Sequence, residues 1–180
     1  LGSSVKQKLD KLRKMVVFDM DNTLLRGRFI DTLAEKFLFE DELKRLRLTE
    51  KNPAVLTKKI ANLLKGLSMG ELLKVAASIP IVDDAEEVVL QLKSQGNIVG
   101  IISDSYQLVA DHIKSKIGAD FAIANRLEYF EGKVTGEVII PSWFYKNLES
   151  PCSHDLCKTN ALLHLSKRYD IPVENCICIG

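Results

Sequence analysis

The sequence predicts an α/β fold in which a parallel sheet carries helices on both faces and a helical insert follows the first strand. Three observations predict it. Short apolar runs alternate with stretches of helical periodicity along most of the chain. The stretch from Phe29 to Ser78 shows helical spacing alone, with no strand signal. Polar residues stand where apolar runs end, at the carboxyl edge where such sheets bind ligands.

The elements follow in order. Val5 to Lys14 is lysine-rich, with Val5, Leu9 and Leu12 at helical spacing, and reads as a leading helix with a solvated basic face. Met15-Val16-Val17-Phe18 is an apolar, β-branched run, a strand buried on both faces. Asp19-Met20-Asp21-Asn22-Thr23 is a polar turn. In the insert, Ile30, Leu33, Ala34, Phe37 and Leu38 share one helical face. Leu43 and Leu46 belong to a second helix, Ile60, Leu63 and Leu64 to a third, and Met69, Leu72, Leu73 and Ala76 to a fourth. Asn52-Pro53 and Gly66 are the breaks. After Ile79-Pro80, Asp83 or Asp84 caps a helix bearing Ala85, Val88, Val89 and Leu92, which stops at Gly96. Asn97 to Ile102 is a strand ending at Ser103, and Tyr106, Val109, Ala110, Ile113 and Ile117 mark a helix that stops at Gly118. Ala119 to Ala124 is a strand, and Leu127 to Ile140 a hairpin around Glu131-Gly132-Lys133. Lys158 to Tyr169 is a helix, and Asn175 to Ile179 the final strand.

Composition bounds the function. The 180 residues fit one domain with a modest insert. Hydrophobic residues make up 46% and charged residues 27%, the profile of a globular protein. Lys plus Arg number 25 against 24 Asp plus Glu, so no basic field drives nucleic-acid binding. No apolar run approaches the ~18 residues of a membrane span. No signal pattern opens the chain and cysteines number 4, so a reducing, cytoplasmic location is expected. Cys176 and Cys178 alternate with isoleucines and read as small core residues. The chain opens at Leu1 and stops at Gly180, straight after an apolar strand, so it is expected to be a piece of a longer polypeptide.

The chemistry starts at Asp19-x-Asp21-x-Thr23. Two carboxylates at one strand end repel by about 4 kcal/mol at ~4 Å in an effective dielectric near 20. A hard divalent cation relieves that repulsion, and Mg²⁺ takes one or two carboxylates together with substrate phosphate. A carboxylate also attacks phosphorus as a nucleophile, and a second one serves as general acid and base. A plain turn is the alternative reading of these residues. Ser103, after a second strand, offers a hydroxyl and following amides to phosphate oxygens, or simply caps a helix. Lys158 opens a helix, where the dipole disfavours a cation, and is either a solvated lysine or a fixed charge for a transferring group.

The order of these features resembles the haloacid dehalogenase superfamily, and within it the phosphoserine-phosphatase branch. FDMDNTLL, IISDSYQLVADHI, ANRLEYFEGKVTG, CKTNALL and the closing CICIG carry the resemblance over nearly the whole chain. It implies a Rossmann-like core from residues 1–27 and 80–180, lacking its C-terminal part, with a helical cap at 28–79. It implies Mg²⁺-dependent hydrolysis of a small-molecule phosphomonoester. Asp19 becomes nucleophile and metal ligand, and Asp21 general acid/base whose carbonyl reaches the metal. Ser103 and Lys158 become the phosphate-binding pair. The superfamily's last acidic motif follows a strand ending in Gly, which is where this chain stops, at Gly180. Transfer to an acceptor other than water, or a non-catalytic binding role, are the competing functions.

The pattern breaks at the substrate. Arg28 stands where that branch carries a glutamate for the substrate ammonium, Ile60 beside Lys59 where it carries an arginine, and Asp104-Ser105 where it carries paired glycines. Like charges buried together cost several kcal/mol, so phosphoserine is expected to be a poor substrate. Arg28 and Asp104 join Ser103 and Lys158 as expected substrate contacts, with Arg28 selecting a second anionic or electron-rich group. Ser103-Asp104-Ser105 with Cys152-x-x-x-x-Cys157-Lys158 is also locally similar to phosphocholine and phosphoethanolamine phosphatases. Cys152, His154 and Cys157 are ligand types for a zinc clip, with His164 as a fourth, but lack CxxC spacing; packed thiols or a disulfide are the alternatives. His112 and His164 lie on helices and read as surface or half-buried.

Overall fold

The computed structural model describes residues 13–180. The helix expected at Val5–Lys14 lies, but for its last two residues, outside them.

A five-stranded sheet organises the chain in the order β4-β3-β2-β1-β5. The strands are β1 (Met15–Phe18), β2 (Ile98–Tyr106), β3 (Phe121–Phe130), β4 (Lys133–Ile139) and β5 (Cys176–Ile179). β1 pairs in parallel with β2 and β5, β2 in parallel with β3, and β4 antiparallel with β3. Successive side chains of β1 alternate between faces. Val16 and Phe18 enter a core with Leu33, Leu72, Val89 and Val109, while Met15 and Val17 enter a second core with Phe121, Leu162 and Leu165. All four β1 side chains are buried, each stabilising the fold by about 1.5–3 kcal/mol. The sheet is thus the middle of three layers, as its apolar runs predict.

The insert is α1 (Phe29–Phe37), α2 (Glu40–Thr49), α3 (Pro53–Leu63) and α4 (Met69–Ser78). The breaks read from the sequence are the real ones. Asn52 caps α3 by accepting from the Ala54 and Val55 N–H groups, and Ser68 with Glu71 closes a capping box on α4. The β3–β4 hairpin ties the insert down: Gly66 N–H donates to Val134 O, Val134 N–H to Leu67 O, and Met69 N–H to Gly132 O. Helices α5 (Ala85–Ser94) and α6 (Gln107–Ile117) cover the first face, and α7 (Lys158–Tyr169) the second.

Three expectations are corrected. β3 runs on through Phe130, so the strand and the first arm of the hairpin are one element. β2 continues through Ser103 to Tyr106, so Ser103 does not cap a helix. The register shifts between Ile102 and Tyr106, and α6 starts only after it, at Gln107. Gln107 is held to β3 by donating to Ala122 O and accepting from Ala124 N–H. Finally, Cys178 is exposed and Cys176 half-buried, because β5 is the edge strand and its outward side packs on nothing among the described residues.

Candidate active site

The ends of β1, β2 and β5 converge on one point. Asp19 N–H extends the β1–β5 ladder by donating to Ile179 O at 2.8 Å. The chain then turns sharply: Met20 O accepts from the Thr23, Leu24 and Leu25 N–H groups, and Asn22 takes φ 61°, a conformation Asn tolerates. That turn aims both acids. Asp19 Oδ1 accepts from Met20 N–H at 2.7 Å, and Asp21 Oδ1 accepts from Phe29 N–H at 2.9 Å. Phe29 is the first residue of α1, so Asp21 satisfies an otherwise unpaired helix N–H and fixes where the insert begins. Gly180 lies against the same point; a Cβ there would fall 2.9 Å from Asp19 Cβ.

Lys158, at the first position of α7, places Nζ 2.7 Å from Asp19 Oδ1 and 3.6 Å from Asp104 Oδ1. The ion pair explains a lysine at a helix start. Asp19, Asp21, Asp104 and Lys158 line a cavity of about 700 Å³, which Arg28 and Arg47 join from the insert side. Burial pushes the Asp21 carboxyl up to about 6; the Phe29 N–H opposes this, the charges of Asp104 and Asp19 add to it, and Arg28 opposes it.

Of the residues singled out in the sequence, Asp19, Asp21, Arg28, Asp104 and Lys158 meet at this cavity. Ser103 does not. It is 0% exposed, its hydroxyl accepts from Ser105 N–H at 3.1 Å, and the cavity wall there is Ser105 and Tyr106. The Ser105 hydroxyl is buried without a hydrogen-bond partner among the described residues. Sequence reasoning also missed Arg47 and Asn125. Asn125 donates to Asp104 O at 2.6 Å and so holds the end of β2. A buried amide inside the apolar run of β3 was its signal. Arg47 had none, being one of several charges on α2.

Cys157 also lines the cavity. Burial acts to raise its thiol, but hydrogen bonds from Thr159, Cys152 and His154 outweigh that and bring it down to about 7. Burial instead raises the Cys176 and Cys178 thiols. His164 is exposed and stacks on Trp143 with ring centroids 4.8 Å apart, and His112 is half-buried.

Comparison with known proteins settles the family. The model of the haloacid dehalogenase-like hydrolases matches residues 16–180. The chain belongs to this family. Within these hydrolases it falls in the phosphoserine-phosphatase-like branch. It is 29% identical over 176 residues to phosphoserine phosphatase of Methanocaldococcus jannaschii, covering 96% of this chain and 79% of that protein. It is 32% identical over 130 residues to phosphoserine phosphatase of Archaeoglobus fulgidus, covering 70% of this chain and 38% of that protein. A solved structure described as a phospho-aspartyl intermediate analogue of phosphoserine phosphatase superposes with TM-score 0.74 at 29% identity, over 93% of this chain and 78% of that one. A substrate-bound phosphoserine phosphatase complex gives 0.75 at 27% identity, over 93% and 77%. These names run against the expectation that phosphoserine is disfavoured. Among the described residues, no helix of this hydrolase is long and apolar enough to cross a membrane.

Proposed function

We propose that the chain is a Mg²⁺-dependent phosphatase that hydrolyses a small-molecule phosphomonoester through an aspartyl-phosphate on Asp19. The observation that carries this reading is Lys158 Nζ at 2.7 Å from Asp19 Oδ1 in a cavity walled by both insert and sheet. Asp19 attacks phosphorus as the ester P–O bond breaks. Asp21 gives its proton to the leaving oxygen, then takes one from the water that attacks the phosphoryl group, and the P–O bond to Asp19 breaks to release inorganic phosphate. A carboxyl held near 6 suits both halves of that exchange. Lys158 neutralises Asp19 against the incoming anion and stabilises the charge in transfer. Ser103 acts as a positioning residue through Ser105 N–H, and the Asp104 carboxylate and Ser105 border the phosphoryl position.

The donor set fits magnesium. Asp19 and Asp21 offer oxygen alone, the donor type that a hard divalent cation takes. When bound, magnesium supplies positive charge that holds phosphoryl oxygens against the nucleophile. We read 28–79 as a cap on a core of 1–27 and 80–180; its wall over the cavity restricts access to small substrates.

For the substrate, the names of the relatives make phosphoserine the first compound to test, with Arg28 and Arg47 facing its carboxylate. The four unpaired thiols support a cytoplasmic location. The test is hydrolysis of an aryl phosphate and of phosphoserine with Mg²⁺ and with EDTA, for the parent and Asp19→Asn. Free phosphate appearing with water as sole acceptor, only with Mg²⁺ and only in the parent, is the expected result. Activity persisting in Asp19→Asn rules out the mechanism.

A further inference from the structure

We propose that Cys152, His154 and Cys157 bind a divalent ion of the zinc class at the rim of the cavity, and that this ion clamps the loop leading into Lys158. The three donor atoms lie within 4.8 Å of one another. No other group of three or more such ligands converges among the described residues. Two thiolate sulfurs and an imidazole nitrogen select zinc-like ions, whereas the oxygen-only set at Asp19 and Asp21 selects hard ones, so the two sites do not compete.

A tetrahedral zinc site has ligand-to-ligand edges of about 3.6 Å. The donors therefore need to close in by at most about 1 Å, which rotamer changes of exposed His154 and half-buried Cys152 provide. Two thiolates balance the charge of the ion, and each thiol loses its proton to solvent on binding. The exposure of His154 leaves the fourth position to water.

The clamp would act on a loop held at its base and by the ion pair of Glu149 with Lys167 on α7. Its base is closed by an isolated bridge between Tyr145 and Leu156, with Cys157 N–H donating to Phe144 O and Lys146 N–H to Asp155 O. Beyond that base it offers no buried apolar anchor, and Leu148 is fully exposed. Cys157 precedes Lys158 and stands at the N-cap position of α7. An ion joining Cys157 to Cys152 and His154 thus fixes the backbone that presents Lys158. It acts by positioning and takes no part in the chemistry.

The experiment uses the full chain, purified reduced, stripped with EDTA and then dialysed against Zn²⁺ or Co²⁺ alone. Parent and Asp19→Asn are expected to retain one zinc per chain and to show tetrahedral cobalt–thiolate absorption. Cys157→Ser and Cys152→Ser lose both signals. His154→Ala, a change at an exposed side chain that leaves folding intact, loses the stoichiometric ion, and zinc raises the urea midpoint of the parent but not of this variant. Equal zinc uptake by the parent and the Cys152→Ser/Cys157→Ser double variant overturns the proposal. So does loss of zinc in Asp19→Asn, which would put the ion at the acidic turn, or a Cys152–Cys157 disulfide in protein that binds no zinc.

Discussion

Replacing Asp21 with Asn in the metal-free protein stabilises it at neutral pH. The folded carboxyl titrates at about 6 against 3.8 when unperturbed, chiefly because it is buried. A carboxyl whose folded pKa is raised draws protons into the folded state. Its contribution to stability is therefore complete below 3.8 and is lost as pH rises through about 6. Each unit is worth about 1.4 kcal/mol, so the ionised parent bears a penalty of about 3 kcal/mol, or about 2 after solvent screening of its exposed part. Asn keeps an oxygen to accept from Phe29 N–H and carries no charge. Urea unfolding in EDTA is expected to show Asp21→Asn more stable by about 2 kcal/mol at pH 7.5, a gain in Tm of about 4–8 °C. The gain shrinks toward zero near pH 4, and Mg²⁺ restores more stability to the parent than to the variant. A variant no more stable than the parent at pH 7.5, or a gain unchanged at pH 4, refutes the reasoning.

Lys158→Ala is expected to lower kcat/KM on an aryl phosphate by about 10²–10³, since it removes the ammonium paired with Asp19; an unchanged value would detach Lys158 from the chemistry. Arg28→Glu is expected to raise KM for carboxylate-bearing phosphomonoesters while sparing aryl phosphate, read from a substrate panel. Gly100→Ala would put a Cβ 2.2 Å from the Phe121 ring, so urea unfolding should show a loss of about 1–3 kcal/mol or more; full stability there would mean that Phe121 moves freely.

Much of this was legible because burial writes periodicity into a sequence. The strand Met15–Phe18 is apolar on both faces because helices cover both, and the insert's helices are punctuated by the residues that cap them, Asn52 and Ser68. The length of β3 was not legible. Arg126 and Glu128 point to solvent, so the apolar run stops while the ladder continues. The continuation of β2 past Ser103 is not legible, because the register shift there depends on pairing with β3, a partner distant in sequence. Arg47 reaches the cavity only through the way α2 packs, which no local pattern encodes. Among the described residues β5 is the edge strand, which leaves Cys178 exposed although its apolar alternation suggests a core.

The most direct test follows the phosphoryl group itself. Trypsin cleavage after Lys14 and Arg26 isolates Met15–Arg26, which holds both acids of the turn. Rapid acid quench during turnover, followed by mass spectrometry of that peptide, should find an acyl phosphate on Asp19 in the parent and none in Asp19→Asn. Turnover with the peptide unmodified at every quench time, or phosphate on the peptide from Asp19→Asn, would contradict the account.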